Sequence, residues 1–253
     1  MVERNQAQYG YGSSSQTASA EYDQGLRAYM LKVYNYMASG VLLTGIIAMM
    51  VGQSPNLAGM LFNLVPTANG FGIAGYTGLG MIAAFSPLAF ILVLSFGANK
   101  MSAGALQGIF WAFAAMMGLS ISSIMFVYTG ASIAQTFFIT AASFGALSLF
   151  GYTTKKNLSG MGTFLFMGLI GLIIASVVNL FMQSSMMDFI ISAAGVLIFA
   201  GLTAYDTQKI KQQYAYNSSH EGAAKSAILG AVTLYLDFVN LFMFLLRFLG
   251  NRE

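Results

Sequence analysis

The sequence predicts an all-α membrane protein of seven transmembrane helices, with the last helix central in the bundle. Three observations predict it. Only 8% of the residues are charged and 57% are hydrophobic, where a soluble domain carries about 25% charge. So few charges cannot cover the water-facing surface of a 253-residue chain. Seven apolar stretches each reach the ~20 residues that a helix needs to cross a bilayer. The lysines and arginines stand mostly in every second link between those stretches, as in membrane loops.

Taken in order, residues 1–25 are polar and lack the apolar core of a cleavable signal peptide. The run from Gln6 to Ser19 is rich in Gly, Ser, Gln and Tyr, so 1–25 is expected to be a disordered cytoplasmic tail. Residues 26–253 make one transmembrane domain, with spans near 30–52, 76–98, 104–127, 131–152, 160–182, 187–207 and 225–248. The loop from Gln53 to Tyr76 is the longest on its side and holds Pro55 and Pro66. Only Tyr128-Thr129-Gly130 joins the third span to the fourth, which makes them a tight hairpin. Gly168, Gly171 and Ala175 on the fifth span, and Ala141 and Gly145 on the fourth, are small faces suited to close helix packing. Asn217 to Gly222 carries the turn signal between the last two spans.

Charge sets the orientation. Arg4, Arg27, Lys32, Lys100, Lys155, Lys156, Lys209, Lys211 and Lys225 all fall on one side if the helices alternate. The positive-inside rule puts that side, and the N-terminus, in the cytoplasm. Arg247 and Arg252 then lie outside, because the last apolar run is long enough to span. With no Cys, disulfides and thiol catalysis are excluded. A net charge of +3, spread along the chain, implies no nucleic-acid partner; the expected partner is the lipid bilayer. No cofactor is expected.

Asp206 and Asp237 are the two acidic residues placed within or at the edge of spans and facing the interior; Asp188, at a span entrance, reads as solvated. A charged Asp at the bilayer centre costs ~2.5–3.5 kcal/mol on insertion scales, so an intramembrane Asp needs a reason. The sequence midpoint between the two falls at the Glu221-Gly222 turn, which sets them at similar heights on a helical hairpin. Thr233, Asp237, Asn240 and Arg247 share a stripe of the seventh span, and Thr203, Asp206 and Thr207 a face of the sixth. Ser176, Asn179 and Gln183 share a face of the fifth, read equally as interhelical hydrogen bonding or as a hydrated path. The other face of the seventh span is bulky and apolar, with Leu234, Leu241 and Leu245. A lipid-facing helix could not carry such a polar stripe, so this helix is expected at the centre.

Ala204-Tyr205-Asp206-Thr207-Gln208-Lys209-Ile210 and Leu234-Tyr235-Leu236-Asp237-Phe238-Val239-Asn240-Leu241-Phe242 together resemble the signature of the Bax inhibitor family. Leu245-Leu246-Arg247-Phe248 fits its C-terminal end. The resemblance covers residues 25–250 and is to prokaryotic members. It implies a pH-dependent calcium leak, with Asp206 and Asp237 as a paired-carboxylate pH sensor near the cytoplasmic mouth of a pore. It also implies a bacterial inner-membrane location. Some prokaryotic members carry an arginine at the end of the second helix that engages the pair. Here the segment reads Phe96-Gly97-Ala98-Asn99-Lys100, so Lys100 or Asn99 is the candidate to replace it.

Elementary electrostatics agrees with a sensor. Two carboxylates within hydrogen-bond reach cannot both ionise cheaply and titrate as a pair. At about 4 Å their repulsion is ~4 kcal/mol at an effective dielectric of about 20, enough to reverse a two-state equilibrium. A shared proton would tie the sixth helix to the seventh and close the path. An ammonium from Lys100 reaching the site would reverse the sign. When ionised, the two carboxylates with nearby oxygens could hold Ca²⁺ in weak transit. Two other readings compete. One is a non-transporting regulator that binds another membrane protein. The other, more remote, is an intramembrane aspartyl protease, which fits Tyr205-Asp206 but lacks the glycine-rich sequence expected around Asp237. No enzymatic activity is expected.

Overall fold

The computed structural model describes residues 11–67, 70–215 and 220–251. Seven helices are long and apolar enough to cross a membrane: 21–53, 78–97, 103–126, 130–153, 159–182, 185–214 and 221–249. They coincide with the seven spans read from the sequence. We label the helices α1 (Tyr11–Gln53), α2 (Pro55–Leu61), α3 (Gly78–Gly97), α4 (Ala103–Ile121), α5 (Gly130–Thr153), α6 (Ser159–Met182), α7 (Ser185–Tyr214) and α8 (His220–Leu249). A single 3₁₀ stretch, Ser122–Phe126, extends α4. α1 runs back through part of the segment expected as a tail, and residues 1–10 of that segment lie outside the described residues. So do Asn217, Ser218 and Ser219 of the expected turn.

Short polar links stop and start these helices. Thr77, Ser102, Thr129 and Ser184 each accept a hydrogen bond from the backbone N–H three residues on. That satisfies one of the orphan donors at the helix start, which matters near a medium without water. α6 ends on Gln183, whose left-handed φ of 50° turns the chain straight into α7.

The 53–76 loop is built rather than loose. Ser54 caps α2, with Pro55 at its first position. An antiparallel hairpin follows, β1 (Phe62–Thr67) against β2 (Gly70–Tyr76), from Phe62↔Tyr76 to Thr67↔Gly70 with an irregularity at Asn63/Leu64. Phe62, Leu61, Ala58, Val51 and Ala83 form a small core beneath it.

α8 is the centre. In its apolar window 67% of the residues are buried, against 11–33% in the other six spans. It packs on α1, α4, α5 and α7. Tyr235, wholly buried, meets Phe110 and Phe113 edge-on, and its hydroxyl pairs with Thr44 Oγ1 at 2.7 Å. The far end of α8 reaches the α4–α5 link, where Asn251 N donates to Ser132 Oγ and Thr129 N donates to Asn251 O. The last helix therefore runs the full height of the bundle.

Small residues set the helix spacing, at some of the expected positions and at others: Gly168 of α6 lies close against Ile198 of α7, as expected. Gly151 brings α5 against α7 so closely that a Cβ there would strike the Ala204 carbonyl. Gly171 and Gly145 face open space instead.

Candidate functional site

The signature around Asp206 has a contact for each position. Ala204 receives Gly151 of α5, and the Tyr205 ring lies on Gly162 of α6. Thr207 Oγ1 meets Ser148 Oγ at 3.0 Å, and Ser148 Oγ meets the Tyr34 hydroxyl at 2.6 Å, a polar chain across α7, α5 and α1. Gln208 holds the α5–α6 link, accepting from Leu158 N and donating to Lys156 O, both at 2.9 Å. Ile210 packs beside Gly230 of α8. With α7 gripped on these sides, Asp206 is presented to α8.

There it meets Asp237. The two carboxyls hydrogen-bond to each other across the α7–α8 interface. Asp237 is 5% exposed, and its Oδ2 has no hydrogen-bond partner among the described residues. A hydrogen bond between two carboxyl groups requires that one of them carry a proton. The cation acting on Asp206 is Lys209, one helical turn further along α7. Its ammonium also stands 5.9 Å from the centre of the Tyr205 ring.

The pair lies on the wall of a cavity of about 1150 Å³ between α6, α7 and α8, which Ile91 of α3 also lines. Lys209, Asp206 and Asp237 line one end; Asp188, Asn179 and Arg247 line the other. The 18 residues from Asp188 to Asp206 rise about 27 Å along α7, close to the ~30 Å of bilayer hydrocarbon. Between the ends the wall is mainly apolar, with Leu172, Phe199, Leu202 and Phe244, interrupted by Thr233, Asn240 and Ser176. The polar side chains of this stretch bond to their own helices: Asn240 Nδ2 to Leu236 O, Thr233 Oγ1 to Leu229 O and Ser176 Oγ to Leu172 O. That back-bonding lets a membrane helix carry them.

Of the residues singled out in the sequence, Asp206, Asp237, Thr233, Asn240 and Arg247 share this cavity. Thr203 and Thr207 do not line it. They are buried and donate to Phe199 O and Thr203 O, so their work is packing. Lys100 and Asn99 are exposed beyond the end of α3 and do not line it either. The reason is placement: α3 packs mainly on α4 and the α2–β2 region, and of its residues only Ile91 lines the cavity. Asn179 and Gln183 settle largely on structure, since Asn179 accepts from both Gln183 N and Ser184 N to close the α6–α7 turn. Two residues of the cavity went unassigned in the sequence, Lys209 and Asp188. Lys209 was findable, because i and i+3 share a helix face. Asp188 looked like a loop residue, but it is half-buried and lines both this cavity and a smaller one at the outer end. No three His, Asp or Glu side chains converge among the described residues.

Comparison with known proteins adds a consistent picture. A family model described as "Inhibitor of apoptosis-promoting Bax1" matches residues 26–253. An inner membrane protein of Escherichia coli, YbhL, is 46% identical over 231 residues, covering 90% of this chain and 94% of that protein. A protein of Rickettsia prowazekii is 47% identical over 232 residues, covering 92% of this chain and 93% of its own length. One of Caulobacter vibrioides is 44% identical over 248 residues, covering 96% and 98%.

Proposed function

The chain belongs to the Bax inhibitor family, and on that premise we propose that it is a pH-sensitive calcium leak gated by Asp206 and Asp237. The observation that carries the reading is the hydrogen-bonded carboxyl pair at one end of a membrane-deep cavity. In the closed state a shared proton ties α7 to α8. Its loss leaves two like charges in contact, and they separate or take up a cation. Calcium prefers oxygen ligands and would pass as cargo, held briefly by the two carboxylates and water. The apolar middle of the cavity supplies the second barrier, a stretch that conducts only when wet. Asp188 and Arg247 stand at the far mouth.

The sign follows from which cations are near. Lys100 is exposed and does not line the cavity, which argues against an ammonium from α3 as the closing partner. Lys209, the cation acting on Asp206, sits one turn along the same helix. Raising pH therefore opens the path. We place the lysine-rich end in the cytoplasm and the protein in a bacterial inner membrane, the location that the E. coli relative's name gives for that protein. A single Cys at the exposed Asn157 would then react with impermeant reagent only from the cytoplasmic side.

The decisive measurement is Ca²⁺ flux in liposomes holding purified protein alone, between about pH 5 and pH 8. Flux should rise with pH in the wild type. Asp237→Asn, which keeps a hydrogen bond to Asp206, should flatten that dependence without unfolding the protein. A mutant that titrates like wild type would refute the paired sensor. Flux that rises with acid, and loses that rise in Lys100→Ala, would make the lysine a latch. No flux at any pH would favour a regulator that needs a partner.

A further inference from the structure

A second recess lies on another side of the bundle, between α1 and α5. It encloses about 560 Å³ and is lined by Arg27, Leu31 and Tyr34 of α1 and by Gly145, Leu149 and Tyr152 of α5. That is the size of small-ligand sites. α1 packs on α4 and α8, and α5 on α7 and α8, so the groove between them is left open. Leu31 and Leu149 are exposed along it. In a membrane-spanning chain, what touches such side chains is hydrocarbon.

The groove has a chemical polarity. Its middle is apolar, and an ideal Cβ at Gly145 would meet nothing within 4 Å, so this is empty length rather than packed surface. Its floor is preformed, because Tyr34 and Ser148 are fixed by the hydrogen-bond chain to Thr207. At the lysine-rich end Arg27 lines it, exposed and in no ion pair among the described residues. The nearest carboxylate in sequence, Asp23, is exposed one turn earlier and does not bridge to it. No carboxylate among the described residues lines the groove. A second cation stands at this mouth: the Lys211 ammonium donates to Tyr152 O at 2.8 Å and lies 4.9 Å from the Tyr152 ring centre. A tyrosine and two cations at one end of an apolar slot match the layering of a lipid leaflet.

We propose that the α1–α5 groove binds an anionic phospholipid, its phosphate on Arg27 and one acyl chain along Gly145. A guanidinium offers a planar fork of donors that fits two phosphate oxygens. Cations at the surface favour anionic over zwitterionic lipid by about fivefold per charge. The site does not rest on the aspartate pair and stands or falls separately.

The test uses the full chain carrying Trp111→Phe and Leu149→Trp, which leaves a single tryptophan in the groove. The protein is reconstituted in phosphatidylcholine vesicles, and brominated phosphatidylglycerol or brominated phosphatidylcholine is added stepwise to quench it. Phosphatidylglycerol should quench with an association above phosphatidylcholine by about fivefold for each of the two cations. Arg27→Ala should lower the ratio about fivefold, Lys211 keeping its own share of the preference. Gly145→Phe, which puts a ring into the groove from a position where a Cβ has open space, should also lower the ratio while thermal unfolding stays unchanged. A ratio near one in the starting protein overturns the proposal, as does a ratio that either substitution leaves unchanged. Suppression of the preference by inorganic phosphate would assign Arg27 to a soluble anion and overturn the lipid.

Discussion

α6 and α8 are both long apolar spans, and they occupy opposite places. α6 has the higher mean hydropathy, 2.5 against 1.9, yet 11% of its window is buried against 67% for α8. In water the order would be reversed, since burial follows hydrophobicity. In a bilayer the lipid tails are as apolar as leucine, so a greasy side chain gains nothing by turning inward. α6 accordingly sends Phe164, Leu180 and Phe181 outward. α8 turns Thr233, Asp237 and Asn240 to the cavity and packs Leu234, Tyr235 and Leu241 against its neighbours. Hydropathy tells which segments enter the membrane; polar and aromatic side chains tell how deep in the bundle they sit.

The sharpest way to break this contrast is to hollow out α8. Tyr235→Ala removes a buried ring from between Phe110 and Phe113 and its bond to Thr44. The expected loss is about 3–5 kcal/mol, read from reversible unfolding in mixed SDS and neutral detergent. A loss below about 1 kcal/mol would mean that α8 is not the core. Next in size is Gly151→Leu, which forces a side chain onto the Ala204 carbonyl. Overpacking there should cost about 1–3 kcal/mol. It should also disturb the pH response of any flux, because Ala204 lies two residues before Asp206. Unchanged stability would show that α5 and α7 are looser than they look.

Much of this was readable in the chain. All seven spans were, because a run of apolar residues between polar links has one stable solution in lipid. The central place of α8 was readable from its polar stripe. α2 and the β1–β2 hairpin were not, because Pro66 and the glycines of 70–76 blur any alternation, and the hairpin leans on the ends of α1, α3 and α4. Within the site, the meeting of Asp206 and Asp237 was legible from the hairpin arithmetic. Helical phase could not separate Thr207 from Asp206, one residue apart and 100° around, and only tertiary packing sends one to Ser148 and the other to the cavity. That Lys100 would stand exposed and off the cavity wall was not legible, because sequence cannot say which helix α3 packs against.

A smaller effect tests the hydrogen bond at the bundle's waist. Thr44 Oγ1 donates to Ala114 O at 2.8 Å and pairs with the Tyr235 hydroxyl. Hydrogen bonds between membrane helices average only about 0.6 kcal/mol, since the separated helices find other partners. Thr44→Val should therefore cost roughly that much in the same unfolding experiment. A cost near that of Tyr235→Ala would mean the bond, rather than ring packing, holds α1 to α8.

The smallest expected effect is the most telling for the contrast. Phe181 on α6 is as large as the phenylalanines of the core but is 85% exposed. In a water-soluble protein, so exposed an aromatic would mark a sticky patch. Here the bilayer is its solvent, and lipid hydrocarbon fills whatever volume the ring gives up. Phe181→Ala should therefore change unfolding stability by no more than about 0.5 kcal/mol. A lipid-soluble photoreactive probe should label Phe164 and Phe181 heavily and Phe238, 5% exposed, hardly at all. A clear loss of stability in Phe181→Ala would show that α6 covers its outer face with a partner, either a second copy of the chain or another protein. Heavy labelling of Phe238 would instead open α8 to lipid and undo the argument that its polar stripe needs a protein interior.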